Sequence, residues 1–118
     1  MSKFKGSFGY AVKGIVHAFA KERNMKIHGA ALFLIIIAGL LFNITAAEWL
    51  VIILISALVI GLELINTAVE SLVDLVTDEY RPLAAIAKNV AAGAVLFCAF
   101  AAVIIGLIIF LPYIGGLF

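Results

Sequence analysis

The sequence predicts an all-α integral membrane protein with one surface helix and three membrane-spanning helices. Of the 118 residues, 66% are hydrophobic and only 13% are charged. A soluble domain of this length leaves a large fraction of its surface in water, so it could not hide that much apolar surface. Three apolar runs also come close to the ~20 residues that a helix needs to cross hydrocarbon. The formal net charge of +1 argues against a nucleic-acid partner.

The three spans follow from where formal charges are missing. None occurs between Lys26 and Glu48, which predicts a first span at about 28–46. A second apolar run with helical patterning predicts a span at 49–76, and a third charge-free run predicts one at 90–112. The chain is therefore expected to form a single membrane domain, with no linker and no repeat.

The segment before the first span has the pattern of a helix lying on the membrane surface, over about 4–24. At ~100° per residue its apolar side chains fall within an arc of about 80°, with most of its cations on the other side. These apolar residues are Phe4, Phe8, Val12, Ile15 and Phe19. Every lysine and arginine precedes the first span or lies between the second and third. The positive-inside rule therefore predicts a cytoplasmic N-terminus and a cytoplasmic 77–89 loop.

The most informative pattern is a polar stripe along the second span. Four polar side chains follow at spacings of three, four and four residues, which places them on one helical face. They are Glu63, Asn66, Glu70 and Asp74. Because a carboxylate in hydrocarbon costs at least ~2.5–3.5 kcal/mol, a stripe of this kind is too expensive to serve as packing. An intramembrane acid such as Glu63 therefore predicts a functional site.

The chemistry that fits this stripe is phosphate transfer to a lipid alcohol. Such a site needs carboxylates for Mg²⁺, a cation for phosphate and a base for the attacking hydroxyl. Glu63 is expected at the depth of a lipid headgroup hydroxyl, Glu70 and Glu22 nearer to water, and Lys88 in the cytoplasmic loop. No G-x-x-x-x-G-K-[ST] loop occurs in the sequence, so a kinase of this kind has a different nucleotide site.

A small oligomeric transporter is the main alternative, with Glu63 as a proton-coupled substrate site. Transporter sites usually lie near the middle of the bilayer. The stripe instead continues to Asp74, beyond the predicted cytoplasmic boundary, which favours the kinase.

A family resemblance adds to this interpretation. Residues 63–74 read ELINTAVESLVD, similar to the pattern E-x-x-N-[ST]-A-[IV]-E-x-x-[VI]-D of the small prokaryotic diacylglycerol kinase and undecaprenol kinase family. Further matches are Ala87-Lys88 and the run at 91–95. The Glu22-Arg23-Asn24 segment followed by His28, and residues 106–112, resemble the Gram-positive branch. These last features favour undecaprenol over diacylglycerol as the acceptor.

The resemblance implies a homotrimer in the bacterial cytoplasmic membrane, with composite active sites that use Mg-ATP. Carried over by position, Glu63 corresponds to the general base that acts on the lipid hydroxyl. Asn66 corresponds to a residue that positions the γ-phosphate and the base. Glu70 and Glu22 correspond to the Mg²⁺ ligands, and Lys88 to the cation that neutralises phosphate charge.

The nucleotide side of the implied site consists of Asp74, Glu79, Tyr80, Lys88 and Asn89. At its end the chain departs from the family pattern, because the usual Lys-Asp pair is Lys88-Asn89 here. Asparagine keeps the shape of aspartate but loses its charge and gains a donor. Restoring the acid at this position is therefore predicted to raise turnover.

Overall fold

The computed structural model describes the backbone of residues 2–118 and the side chains of residues 5–118. This part of the chain forms four helices: α1 (Ser2–Lys21), α2 (Arg23–Phe42), α3 (Ala46–Val76) and α4 (Pro82–Gly115). The last three are long and apolar enough to cross a membrane. The predicted all-helical fold with three candidate spans is confirmed.

The junction between α1 and α2 is a single extended residue. Glu22 has φ −96° and ψ 120° and is the N-cap residue of α2. The predicted surface helix at 4–24 is therefore divided, and its last residues belong to α2. No glycine or proline stands at this point, so the sequence carries no local signal of the break.

Helix α1 contacts both α2 and α3. Its Ala18 is buried, whereas Phe8, Val12 and Ile15 of the predicted apolar face are exposed. The side chain of Phe4, which belongs to the same face, lies outside the described residues. Exposed apolar side chains on α1 agree with a helix on a membrane surface, and contact with the membrane stays a prediction.

The turn between α2 and α3 is fixed by its own sequence. Asn43 adopts the left-handed conformation, with φ 51° and ψ 55°, which asparagine tolerates better than most residues. Thr45 and Glu48 then form a capping box that starts α3, because each side chain satisfies a backbone N–H of the other residue. The helix of the first predicted span, 28–46, consequently ends at Phe42.

An apolar cluster packs around this turn, and we call it the turn cluster. The Tyr113 hydroxyl donates a hydrogen bond to Glu48 Oε1, which ties the end of α4 to the capping box. The Phe42 ring packs at tilted angles against Phe110 and Tyr113. Helix α4 therefore continues through Pro112 to Gly115, beyond the end predicted for the span at 90–112. The other members of the cluster are Ile35, Ala38, Ile44, Trp49, Ile52, Ile105 and Ile109.

Replacing Gly39 by alanine is expected to lower the thermal stability of the detergent-solubilised protein. A Cβ atom at this position would lie 2.5 Å from Cη2 and 2.7 Å from Cζ2 of Trp49, so the indole ring must move out of the turn cluster. Overpacking of this kind costs about 1–3 kcal/mol of free energy of unfolding. Gly115→Ala is the control at the same end of the molecule, because no atom lies within 4 Å of its added Cβ. Equal melting temperatures for the two variants would contradict the prediction.

Residues 77–81 join α3 to α4. Thr77 Oγ1 accepts a hydrogen bond of 3.1 Å from the Glu79 backbone N–H. Pro82 opens α4, where proline is favoured because its missing N–H needs no helical partner. Helix α4 thus begins eight residues before the predicted span, and its first two turns lie beside the end of α3.

The described chain measures 55 × 43 × 21 Å along its principal axes. The shortest dimension equals about two helix diameters, so no helix is surrounded on all sides by others. Large apolar side chains are accordingly exposed along the spans, with Leu41 78%, Leu54 71% and Phe97 80% exposed. Lipid or further copies of the chain must cover this surface.

Candidate functional site

The polar stripe of α3 passes from complete burial to exposure. The side chain of Glu63 is 1% exposed, and Asn66 and Thr67 are also buried. Glu70 is half-buried and Asp74 is exposed. The order along the stripe runs in the direction that the sequence predicts, with Glu63 the most enclosed acid.

Glu63 lies in a cavity of about 210 Å³, which we call the carboxylate chamber. Two of its buried oxygens, Glu63 Oε1 and Asn66 Oδ1, have no hydrogen-bond partner within the described chain. Because a buried polar atom is costly when unpaired, such atoms call for an explanation. Two unpaired acceptors in one cavity are suited to a ligand that brings a donor or a cation. The chamber is lined by Asn24, His28, Glu63, Asn66, Ala92, Val95, Leu96 and Ala99.

Hydrogen bonds along α3 orient the stripe. Asn66 Nδ2 donates to Glu70 Oε1 at 3.2 Å, which turns the amide oxygen of Asn66 away from Glu70. Thr67 Oγ1 donates to the backbone carbonyl of Glu63 at 3.1 Å. The Thr67 hydroxyl is therefore satisfied within its own helix and makes no hydrogen bond to the Glu63 carboxylate.

His28 of α2 also lines the chamber. The sequence pattern predicted no place for this residue in the site. Its Nε2 lies 3.9 Å from Glu63 Oε2, and its side chain is 19% exposed. The signal in the sequence was a single polar residue near the start of a predicted span. Whether that residue faces the stripe depends on the rotation of α2 about its axis, which the sequence pattern alone does not fix.

A second cavity, of about 390 Å³, lies at the α3–α4 loop and is called the loop pocket. Lys88 Nζ donates to Asp74 Oδ1 at 2.6 Å, and Arg81 bonds Glu79 at 3.5 Å. The pairing of Asp74 with Lys88 was not predicted from the sequence. The pocket is lined by Val73, Asp74, Thr77, Asp78, Glu79, Tyr80, Arg81, Ala84, Ala85, Lys88 and Asn89.

The structure places most of the predicted site residues in these two cavities, whereas Glu70 and Glu22 line neither of them. Asn66 joins the Glu63 end of the stripe to Glu70, and all five residues of the implied nucleotide side line the loop pocket. Glu22 forms no hydrogen bond with Glu70 within the described chain. It is half-buried at the N-cap of α2, and its side chain makes no capping hydrogen bond.

The donor set fits Mg²⁺ only as a metal–nucleotide complex. Among the described residues no three His, Cys, Asp or Glu side chains cluster to hold a metal ion. Mg²⁺ prefers oxygen ligands, keeps several waters and is usually held by one or two carboxylates together with substrate phosphates. Glu70, with the unpaired Asn66 Oδ1 one turn away, offers oxygens of this kind.

Fold and site together define a multi-pass membrane protein with a buried acid, whose polar stripe leads to a water-accessible loop. The family model for prokaryotic diacylglycerol kinase matches residues 9–110. The chain belongs to this family, and it is a lipid kinase with ATP as co-substrate. Family membership also decides against the transporter alternative.

Curated relatives extend the match over nearly the whole chain. An undecaprenol kinase of Bacillus subtilis (strain 168) is 45% identical over 112 residues, covering 95% of this chain and 91% of that protein. A diacylglycerol kinase of Synechocystis sp. (strain ATCC 27184 / PCC 6803 / Kazusa) is 50% identical over 107 residues, covering 90% of this chain but 61% of that protein. The diacylglycerol kinase of Escherichia coli (strain K12) is 30% identical, covering 91% and 88% respectively.

Proposed function

We propose that this chain phosphorylates undecaprenol with Mg-ATP at the cytoplasmic boundary of the bacterial cell membrane, giving undecaprenyl phosphate and ADP. The observation that carries the proposal is the buried Glu63 carboxylate, whose Oε1 has no partner among the described residues. It lies in a chamber walled on one side by the apolar residues Ala92, Val95, Leu96 and Ala99. A long-chain alcohol could place its hydroxyl at the carboxylate while its chain stays among apolar groups.

Glu63 is the general base in this proposal. The lipid hydroxyl oxygen bonds to the γ-phosphorus as the bond from that phosphorus to the β–γ bridging oxygen breaks. The hydroxyl proton passes to Glu63 Oε1, and the electrons of the broken bond remain on ADP. Positioned general bases contribute about 10²–10⁴-fold to such rates.

Asn66, Glu70 and Glu22 serve the phosphates and the metal. Asn66 Nδ2 donates one N–H to Glu70, and its second N–H is the proposed donor to the γ-phosphate beside Glu63. Glu70 and Glu22 are the residues that would hold Mg²⁺, and the metal would neutralise charge on the phosphates. Since Glu22 makes no capping hydrogen bond, its carboxylate is available for this role.

The loop pocket is the proposed nucleotide side of the site. Lys88 neutralises phosphate charge from there, while Asp74, Glu79, Tyr80 and Asn89 surround the rest of the nucleotide. Tyr80 is 84% exposed, which leaves its ring open for stacking on a base. The 2.6 Å contact of Lys88 with Asp74 holds the ammonium group at the rim of this pocket.

Phosphate transfer from labelled ATP to lipid, measured in mixed micelles, tests the proposal. We expect transfer to undecaprenol that disappears when EDTA removes Mg²⁺ and returns when Mg²⁺ is restored. Diacylglycerol in parallel micelles is the comparison, and we expect a lower kcat/KM for it. Transfer to neither alcohol, or equal transfer with and without EDTA, would contradict the proposal.

Diacylglycerol is the second candidate acceptor. The 50% identity to the Synechocystis diacylglycerol kinase favours it, although this chain covers less of that protein than of the Bacillus undecaprenol kinase. A higher kcat/KM for diacylglycerol in the same assay would establish it as the substrate.

A homotrimer with composite sites is proposed as the working form, with the N-terminus in the cytoplasm. A chain 21 Å thin buries Glu63 and Asn66 but leaves Glu70 half-buried and Asp74 exposed, so neighbouring copies would complete the walls of this part of the stripe. Small residues on α4, including Gly93 and Gly106, allow close helix approach. Native mass spectrometry of the protein in detergent should give three chains per particle, and a monomer that retains full activity would contradict composite sites.

Replacing Asn89 by aspartate is expected to raise turnover up to about tenfold, the effect of one charge-assisted hydrogen bond. Asn89 lines the loop pocket beside Lys88, where the family pattern has an acid. The measurement is kcat/KM for ATP with lipid at saturation. Asn43→Asp makes the same chemical change at the α2–α3 turn and should leave the rate unchanged. An equal or lower kcat/KM in Asn89→Asp would refute the idea.

A further inference from the structure

We infer that His28 is a positioning residue for Glu63. In this assignment the imidazole Nε2 holds Glu63 Oε2, so that Oε1 alone is presented to the lipid hydroxyl. The inference rests on the proposed function, since it assigns His28 to the same phosphate transfer. It is independent of whether the acceptor is undecaprenol or diacylglycerol.

Burial and charge single out His28 as the partner. The Glu63 side chain is 1% exposed, and a buried carboxylate is costly unless it is paired. Among the eight residues that line the carboxylate chamber, His28 is the only one able to carry a positive charge. The pairing involves one carboxylate oxygen only, because Oε2 faces the imidazole whereas Oε1 is without a partner in the described chain.

The separation of Nε2 and Oε2 is that of a loose ion pair. At 3.9 Å the two atoms are beyond direct hydrogen-bond range. Hydrogen bonds between catalytic groups are often long until the substrate complex forms, so this separation is compatible with a direct bond during the reaction.

Packing contacts on both sides of His28 hold the backbone of α2 at this position. Met25, one turn earlier, is fully buried. Gly29, the next residue, packs closely against α1, because a Cβ there would lie 3.0 Å from Phe19 Cε1. These contacts fix the position from which the imidazole reaches Glu63, as a positioning residue requires.

His28 stands on the lipid side of the site. It also lines a separate groove of about 480 Å³ between α2 and α4, whose other lining residues are apolar. It does not line the loop pocket, which holds Lys88 and Asp74. Loss of the imidazole should therefore slow the chemical step while leaving the affinity for ATP unchanged.

Steady-state kinetics of His28→Leu and His28→Gln test the assignment. We expect His28→Leu to lower kcat about 10- to 100-fold, the usual range for losing a group that orients a functional side chain, with KM for ATP unchanged. Glutamine keeps an N–H donor at similar reach, so His28→Gln should recover a substantial part of the loss. His17→Leu is the matched control, because His17 lies in a different cavity, between α1 and α3, and should retain the wild-type kcat.

Measuring His28→Leu in the Glu63→Asp variant as well as in the wild type separates a positioning role from a packing role. If His28 acts through Glu63, then His28→Leu should cost less in Glu63→Asp, whose shortened carboxylate is already displaced, than in the wild type. Wild-type kcat in His28→Leu, equal losses in the two backgrounds, or no recovery by glutamine would each overturn the inference. Where His28→Leu does not fold, His28→Gln measured in both backgrounds decides by the same comparison. Failure of the proposed function is distinguishable, because the wild-type protein itself would then transfer no phosphate to either lipid.

Discussion

Replacing Glu63 by glutamine is expected to reduce lipid phosphorylation by about 10²–10⁴-fold, the contribution of a positioned general base. Glutamine has nearly the same shape as glutamate and can occupy the chamber beside Asn66, but it cannot accept the proton of the lipid hydroxyl. The loss should therefore appear in kcat, with KM for ATP little changed. The measurement is labelled phosphate transferred to lipid under conditions in which both substrates saturate the wild-type protein.

Glu48→Gln is the matched control for this prediction. Glu48 lies at the opposite end of α3, where it bonds Thr45 and Tyr113, far along the helix from the chamber. Its substitution should leave kcat unchanged, because glutamine at this position still accepts the Thr45 backbone N–H of the capping box. Glu63→Gln with more than about a tenth of the wild-type kcat would remove Glu63 from the role of base.

The α3 part of the site could be predicted because it depends on a single helix. Spacings of three, four and four residues place Glu63, Asn66, Glu70 and Asp74 on one face whatever the neighbouring helices do. The burial order along the face also followed from the position of these residues in the apolar run. The individual roles proposed for them come from the family resemblance, since one helical face does not distinguish a base from a metal ligand.

Contacts between helices could not be predicted in the same way. The pairing of His28 with Glu63 depends on the rotation of α2, and that of Lys88 with Asp74 depends on how the 77–81 loop sets α4 against α3. When the spans are apolar on most sides, the spacing of apolar residues does not determine the rotation of α2 or the orientation of α4 against α3. The turn at Asn43 was also not predicted, since the first span was extended to residue 46, although an asparagine followed two residues later by a threonine capping box is a readable turn signal.

Replacing Lys88 by methionine is expected to lower kcat/KM for ATP by about 10²–10³-fold, the usual cost of removing one preorganised group that stabilises charge in the transition state. Methionine keeps much of the apolar stem but removes the ammonium group. Lys13→Met is the control, because Lys13 lies on α1 over the Tyr10 ring, away from both cavities. Retention of kcat/KM within about threefold in Lys88→Met would exclude a role in phosphate transfer.

Because Lys88 contacts Asp74, the Asp74→Asn variant gives a second test of the role of Lys88. Lys88 Nζ lies 2.6 Å from Asp74 Oδ1, and this exposed pair contributes little to stability by itself. If the ammonium group must exchange Asp74 for phosphate oxygens, then Asp74→Asn removes a competitor for Lys88 as well as a group on the nucleotide side. Its effect on kcat/KM for ATP should therefore be much smaller than that of Lys88→Met.

In the double variant, Asp74→Asn should add little to the loss caused by Lys88→Met, because the effects of two residues that act through one contact are not additive. Additive losses would mean that the contact between Asp74 and Lys88 has no part in the effect of either residue on kcat/KM.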